Sequence, residues 1–338
     1  MLFFDFVKRA YYAAVSPPTP TKRDDAIRIG LLGASTIAPL AVITPAKSHP
    51  EVIVAAVAAR DRERARQYAK KHSIPIVHNT YQDLLDDPAI DAVYIALPNS
   101  LHYEWALRSI QAGKHVLLEK PSCSNAEEAR KLFRHPLVTG PNAPVLLEAF
   151  HYQFHPAWQA FLYHVNHLPW GATVDHVYSQ QYLPKGYLNK DDIRFKYGLS
   201  GGCLMDLATY PLSCVRQVLG RGEHLNPIEA MHRPLPVASD GSQVEPQIDV
   251  AIKATYATDS DKTAEIRAGD VRAQTYQEWW TTWRCQLEEF VNRIKGRAGS
   301  GVWIDGEESI AQMEAIDETY IQAGLNARPT SAFEIATE

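Results

Sequence analysis

Short apolar runs alternate with helical segments from Ile27 to about Pro144, and this alternation constrains the fold more than any other feature. The predicted strands are apolar throughout, which is typical of strands covered on both faces of a parallel sheet. Helical segments separate them, so each pair of strands is joined by a helical crossover. Since such crossovers are almost always right-handed, the pattern predicts a doubly wound Rossmann domain of the α/β class.

The chain changes character after about residue 150. TVDHVYSQQYL and QIDVAIKATYAT are longer predicted strands in which apolar and polar residues alternate, as in an antiparallel sheet with one open face. Helices are predicted over AWQAFLYHV and over residues 281–295 and 308–324. A chain of 338 residues is long enough for two domains. We therefore predict an N-terminal extension and linker (1–25), a Rossmann domain (26–148) and an α+β domain with an open, mainly antiparallel sheet (149–334).

Composition narrows the classes of partner. The net charge is −5 and the sequence shows no basic stretch of the kind that binds nucleic acid, so we expect no nucleic-acid partner. The four cysteines form no CxxC pair and the thirteen histidines show no metal-ligand spacing, so we expect free thiols, a cytoplasmic location and no metal. The start, MLFFDFVKRAYYAAV, is shorter than the about 20 apolar residues of a spanning helix and carries charges. We predict an extra helix and no stable membrane insertion; a weak surface anchor is the alternative.

The first strand ends in a degenerate form of the dinucleotide-binding sequence G-x-G-x-x-G/A, with Gly33 at the tight turn. Ser35 replaces the glycine at which the backbone approaches the pyrophosphate. Taken alone, the sequence also fits a plain strand–turn–helix connection, but its place in the first βαβ unit favours a dinucleotide site. The loop residues predicted to bind the cofactor are Gly33, Ala34, Ser35, Thr36 and Ile37.

The end of the second strand indicates which dinucleotide is bound. NAD enzymes usually carry an acidic residue there, which binds the ribose 2′-hydroxyl. This chain has Arg60, whose guanidinium suits a 2′-phosphate, and Arg64 lies one helical turn further on. The alternative is a solvated helix start, since RDRERAR is charged throughout. We therefore predict NADP as the cofactor, with Asp61 as a helix cap.

Two further segments carry residues suited to proton transfer. Lys120, in Glu119-Lys120-Pro121, follows the fifth strand, where ligands of open α/β sheets bind. Asp206 and Tyr210, in GGCLMDLATY, are four residues apart and share one face of a predicted helix. A lysine, a carboxylate and a phenol suit proton transfer beside a hydride transfer. Spacing alone fits a capped amphipathic helix at least as well.

These segments together resemble the glucose–fructose oxidoreductase, inositol dehydrogenase and MocA superfamily. The likeness rests on GLLGASTIA, AARD, LPNSLHYEWA, GKHVLLEKPSCSNAEEA and GGCLMDLATY. EAFHYQFHPAW and DDIRF are similar to the branch that contains NADP-dependent D-xylose dehydrogenases and dimeric dihydrodiol dehydrogenases. The resemblance covers residues 26 to 334 with one gap.

The resemblance implies oxidation of a hydroxyl group on a sugar or cyclic diol. In that reaction Tyr210 would be the general base, and Lys120 would lower the pKa of the tyrosine and bind the reacting oxygen. Asp206 would orient these two side chains or the substrate. Asn99 and His102 would lie near the nicotinamide ribose. The remaining predicted cofactor contacts are Leu97 and Glu119, and the predicted substrate contacts are His151, Trp158 and Arg194.

The chain departs from the family pattern between Tyr256 and Trp283, which are too close in sequence for the usual sheet. We therefore expect several strands to be missing and regard a homodimer as doubtful. Two alternatives to a dehydrogenase follow. One is a non-catalytic NADP-binding sensor, and the other is an inactive truncated homologue that binds nothing.

Overall fold

The computed structural model describes residues 11–12, 16–183, 187–189, 191–236, 245–270 and 281–335. Most of the apolar N-terminal segment, for which we predict a helix or surface anchor, lies outside the described residues. Among the residues that are described, no helix is long and apolar enough to cross a bilayer.

The first half of the chain forms a six-stranded parallel sheet. Its strands are β1 (Ile27–Leu32), β2 (Val52–Ala58), β3 (Ile76–Val77), β4 (Ala92–Ile95), β5 (His115–Leu118) and β6 (Leu146–Glu148). They lie in the order β3-β2-β1-β4-β5-β6. The strand order reverses direction between β1 and β4, which is the point at which doubly wound sheets bind ligands. The predicted doubly wound fold is confirmed.

Helical crossovers connect these strands, and polar side chains fix where most of them begin. A turn of π-helix at Pro39–Ile43 leads into α1 (Thr44–Lys47). The others are α2 (Arg62–His72), α3 (Tyr81–Leu85), α4 (His102–Gln111), α5 (Ala126–Phe133) and α6 (Pro136–Thr139). Asp61 caps α2, Thr80 caps α3 and Asn125 caps α5, each by accepting a hydrogen bond from a backbone N–H of the first turn.

The second half contains a four-stranded mixed sheet in the described residues. Its strands are β7 (His176–Leu183), β8 (Leu225–Pro234), β9 (Asp249–Thr258) and β10 (Thr263–Asp270). Their order is β7-β10-β9-β8, and every pair except the parallel β7–β10 pair is antiparallel. The helices of this half are α7 (Pro156–Asn166), α8 (Thr209–Leu219), α9 (Thr282–Ile294) and α10 (Gly306–Gln322).

Sequence patterning predicts β7 and β9 but misses β8 and β10. Pro227 and Pro234 argue against a central strand, and the structure tolerates them because β8 is an edge strand. Strand β10 has the same length as β7, eight residues, but its alternating buried positions are Ala264, Ile266 and Ala268, and alanine is a weak strand former. It occupies part of the region in which strands were expected to be missing, and residues 271–280 lie outside the described ranges.

The C-terminal helices join the two halves of the molecule. Leu287 and Phe290 of α9 pack in the same apolar cluster as Ile29 of β1. On the other face of the sheet, α10 packs against α5, and its Ile316 belongs to a cluster that also contains Tyr256 of β9. This packing holds the second half against the first sheet and creates a cleft between them.

Candidate active site

A pocket lies where the carboxyl ends of β1, β4 and β5 meet the segment that leads into α8. The predicted residues that line it from the first sheet are Ser35, Thr36, Ile37, Leu97 and Asn99, with His102, Glu119 and Lys120. Those that line it from the second half are Arg194, Asp206 and Tyr210. Residues more than 170 positions apart in sequence therefore share one cavity.

The dinucleotide loop has the backbone that its sequence indicates. Gly33 has φ of 104°, and a Cβ there would lie 3.0 Å from the Ala96 carbonyl oxygen, so glycine is required. The Ser35 hydroxyl accepts a hydrogen bond from the Ala38 N–H at 3.2 Å. Gly33 and Ala34 lie behind the pocket wall and do not line it. A loop of this kind before a helical segment is a usual place for a pyrophosphate, and that contact stays a prediction.

Side chains of α2 hold this loop from outside. Tyr68 donates a hydrogen bond to the Ser35 carbonyl at 2.9 Å, and Arg64 donates one to the Ala34 carbonyl at 3.0 Å. Arg64 therefore supports the loop. Arg60 is exposed after β2, outside the pocket lining, where it remains accessible to a 2′-phosphate.

Lys120, Asp206 and Arg194 form an ionic network across the cleft. The Lys120 ammonium donates hydrogen bonds to the Asp206 carbonyl at 2.7 Å and to its Oδ1 at 3.1 Å. Arg194 Nε donates to Asp206 Oδ2 at 2.6 Å. Burial opposes ionisation of Asp206, but the two cations outweigh it and lower its pKa. The carboxylate is therefore ionised and fixes the position of both cations.

Tyr210 lies beside this network. Asp206 belongs to a turn of π-helix at Leu204–Ala208, so the predicted continuous α-helix begins only at Thr209. The Lys120 ammonium lies 4.6 Å from the centroid of the Tyr210 ring, above its face. Burial, Glu119 and Asp206 raise the pKa of Tyr210 well above its usual range. Arg194 is the cation that opposes this rise, and the effect predicted for Lys120 is not seen among the causes.

Glu119 and His102 support the pocket from below. Tyr94 donates a hydrogen bond to Glu119 Oε1 at 2.5 Å, and burial raises the pKa of Glu119. The ring nitrogens of His102 lie 2.9 Å from the Pro121 carbonyl and 3.0 Å from the Leu97 carbonyl. Burial lowers the pKa of His102 to about 4. The ring ties the segments after β4 and β5 together and also lines the pocket, so its position near a nicotinamide ribose stays a prediction. The Lys120–Pro121 bond is cis, as proline after lysine allows.

The three predicted substrate contacts have different outcomes. Arg194 lines the pocket. Trp158 does not, because its indole donates to Gln217 at 2.9 Å and packs against Tyr152. His151 does not line it either, and its Nε2 lies 3.0 Å from the Tyr210 phenol oxygen. The geometry therefore gives no support to direct substrate contact by Trp158 or His151.

Sequence reasoning missed several parts of the pocket wall. Trp283 lines the pocket and stacks on His151 at 4.3 Å between ring centroids, although nothing in its local sequence marks it as a site residue. Asn99 is a predicted cofactor contact and lines the pocket. Its amide also donates a hydrogen bond to the Ser200 carbonyl at 2.9 Å across the cleft, which the sequence did not indicate. The other wall residues outside the predicted set are Ala96, Ile193, Leu199, Gly201 and Gly202. Within the described ranges, no group of His, Cys, Asp and Glu side chains is placed to hold a metal ion.

Comparisons with known proteins agree with this geometry. Residues 27–136 match the oxidoreductase family with an NAD-binding Rossmann fold, GFO_IDH_MocA. D-xylose 1-dehydrogenase (NADP(+)) 2 of Haloferax volcanii is 31% identical over 328 residues, covering 88% of this chain and 98% of that protein. Trans-1,2-dihydrobenzene-1,2-diol dehydrogenase of Macaca fascicularis is 30% identical, over 61% of this chain and 58% of that protein.

The fold is also that of solved structures. A 3-ketoreductase from Actinomadura kijaniata, in complex with NADP and TDP-benzene, superposes with a TM-score of 0.69 at 23% identity, over 86% of this chain and 96% of that chain. The two-domain architecture matches that of the solved structure, and the D-xylose dehydrogenase is matched over 98% of its length. The chain belongs to the Gfo/Idh/MocA family of NAD(P)-dependent oxidoreductases.

Proposed function

We propose that this protein is an NADP-dependent dehydrogenase that oxidises a hydroxyl group of an aldose, with D-xylose as first candidate, or of a trans-dihydrodiol. The observation that carries the proposal is the arrangement of Lys120, Asp206 and Tyr210 in the pocket that the dinucleotide loop also lines. The similarity to a D-xylose dehydrogenase and a dihydrodiol dehydrogenase supports both substrate classes. In this proposal residues 26–148 bind the cofactor and residues 149–334 complete the substrate pocket.

The residues divide the chemistry between them. Bound NADP would supply the nicotinamide that accepts the hydride. The Lys120 ammonium has three protons, and Asp206 takes two hydrogen bonds from it, which leaves one for the reacting oxygen. The Tyr210 hydroxyl receives the proton of the substrate hydroxyl. Loop residues 33–37 hold the pyrophosphate, and Arg60 holds the 2′-phosphate.

The charges of the pocket favour a neutral substrate. Lys120 pairs with Asp206, while Arg194 pairs with both Asp206 and Asp192, the latter at 3.1 Å. The positive charges of Lys120 and Arg194 are thus balanced by the carboxylates of Asp206 and Asp192. An uncharged polyol loses less hydration free energy in such a site than a phosphorylated sugar, since no unpaired cation compensates for an added anion.

Turnover of a substrate panel tests this function. We expect NADP+ reduction with D-xylose, D-glucose or a trans-dihydrodiol, followed as NADPH absorbance, and a thermal shift on NADPH addition. Binding of NADPH without turnover of any of them would contradict the proposal and favour a sensor. Absence of both binding and turnover would favour an inactive homologue.

Arg60→Ala tests the choice of cofactor. We expect KM for NADP+ to rise about 10- to 100-fold, because a charge-assisted hydrogen-bond pair to the 2′-phosphate is lost. KM for NAD+ should change little. Arg66→Ala is the matched control, since Arg66 is an exposed arginine of α2, the helix that follows Arg60, and lies 3.8 Å from Glu63. An equal rise in KM for NADP+ and for NAD+ would show that Arg60 does not bind the 2′-phosphate.

A further inference from the structure

We propose that His151 and Thr282 form a proton relay that connects the Tyr210 hydroxyl with solvent. The inference rests on the proposed function, because it gives the route of the proton that leaves the substrate hydroxyl. His151 Nε2 lies 3.0 Å from the Tyr210 hydroxyl, and Nδ1 lies 2.5 Å from Thr282 Oγ1. Thr282 is partly exposed, so the three groups form a line from the pocket towards the surface.

The surroundings of His151 fix the orientation of its ring. The Trp283 ring lies 4.3 Å away at an interplanar angle of 29°, and the Tyr210 ring meets it edge-on at 5.6 Å. Thr282 is the first residue of α9, whose next turns are anchored in the core by Leu287 and Phe290. Both nitrogens therefore stay directed at hydroxyl groups, which can each donate and accept.

The ring is neutral, as a relay requires. Burial and the neighbouring Lys120 ammonium lower the pKa of His151 to about 3. A neutral imidazole has one donor and one acceptor nitrogen. If Nδ1 donates to Thr282, Nε2 accepts from Tyr210; in the other tautomer, both hydrogen bonds reverse. The two tautomers are the two end states of the relay.

Each step conserves protons and charge. In oxidation, the substrate hydroxyl proton passes to the Tyr210 oxygen and the phenol proton passes to His151 Nε2. The Nδ1 proton passes to the Thr282 oxygen, and the Thr282 proton passes to water. One proton enters the line and one leaves it, and all three side chains end uncharged. Reduction runs the same transfers backwards.

The relay accounts for how Tyr210 works with a raised pKa. A phenolate would be costly beside Glu119 and Asp206, which together with burial raise the pKa of the phenol. A phenol that releases its own proton while it receives another never has to be ionised in advance. His151 and Thr282 are thus positioning and proton-transfer partners of Tyr210 and do not touch the substrate.

Substitutions of Thr282, the residue at the solvent end of the relay, and of His151 test the relay in the full-length protein. Thr282→Val keeps the shape but removes the hydroxyl, and we expect kcat to fall about 10-fold with KM little changed. Thr282→Ser keeps the hydroxyl and should restore kcat. His151→Phe should lower kcat by about 100-fold. The solvent isotope effect on kcat should change in Thr282→Val and in His151→Phe.

Nitrogen NMR of the His151 ring gives a readout that does not depend on turnover. We expect a neutral ring at neutral pH, an Nδ1 signal that moves in Thr282→Val and an Nε2 signal that moves in Tyr210→Phe. A doubly protonated ring, or signals that ignore both substitutions, would overturn the relay. So would unchanged kcat in Thr282→Val and His151→Phe while Tyr210→Phe is inactive, a result that leaves the proposed function intact. Loss of the proposed function would show instead as no turnover by the unmodified protein.

Discussion

Tyr210→Phe lowers kcat by about 10²- to 10⁴-fold, the range expected when a positioned acid–base group is removed. The phenylalanine ring keeps the contact with the Lys120 ammonium, which lies 4.6 Å from the ring centroid. Only the hydroxyl that meets His151 is lost. NADPH affinity and thermal stability should therefore stay close to those of the unmodified protein. Steady-state kinetics with the substrate that the panel identifies, and NADPH titration, measure the two effects separately.

Tyr152→Phe is the control for this change. Tyr152 is another phenol of the same aromatic cluster, with its ring 6.1 Å from that of Tyr210. Its hydroxyl bonds to the Ser213 hydroxyl at 2.8 Å and does not line the pocket. We expect near-normal kcat. If both variants lost activity equally, or if Tyr210→Phe kept it, Tyr210 would not be the proton-transfer group.

Arg328→Leu lowers the free energy of unfolding by about 3–5 kcal/mol, because it leaves a buried carboxylate without its cation. Arg328 and Asp249 have fully buried side chains and form an ion pair at 3.0 Å. Arg328 Nε also donates to the Gly201 carbonyl at 2.7 Å, and Tyr320 donates to Asp249 at 3.2 Å. This cluster fits against Gly202, where a Cβ would collide with it. Denaturant unfolding followed by tryptophan fluorescence measures the loss.

The loss depends on pH. Burial, against the opposing effect of Arg328, raises the pKa of Asp249 from 3.8 to about 6. Without Arg328 this pKa rises further, so the carboxyl is neutral at acidic pH and the uncompensated charge disappears. The destabilisation should therefore be larger at pH values above about 7 than near 5.

Arg130→Leu is the matched control for the buried pair. Arg130 pairs with Glu314 at 2.7 Å, but its side chain is 45% exposed. Exposed pairs contribute about 0–1 kcal/mol, so we expect a small change. Similar losses in both variants would mean that the Arg328 pair has no special role in holding the loop before Asp206.

Local sequence accounts for the first sheet and for the position of Lys120 in the candidate site. Apolar runs of strand length that alternate with helices leave a doubly wound sheet as the arrangement that buries both faces, so β1 to β6 were predictable. Gly33 was predictable because the turn needs positive φ. Lys120 follows a strand whose carboxyl end must lie at the ligand edge, and it does line the pocket. Strands β8 and β10 were not predictable, because prolines interrupt β8 and two of the alternating buried residues of β10 are alanines, which are weak strand formers.

Tertiary structure alone decided the partners of these groups. The contacts of His151 with Tyr210 and Thr282, of Lys120 with Asp206, and of Arg328 with Asp249 join residues 59 to 131 positions apart. No local pattern encodes such distances, since packing of α9 and α10 on the first sheet sets them. The sequence by itself determined the family and the dinucleotide loop, and it marked Lys120, Asp206 and Tyr210 as side chains that share one pocket. The tertiary structure decided that Asp206 neutralises Lys120 and that a histidine stands behind the tyrosine, because charge and proton affinity depend on which groups burial brings together.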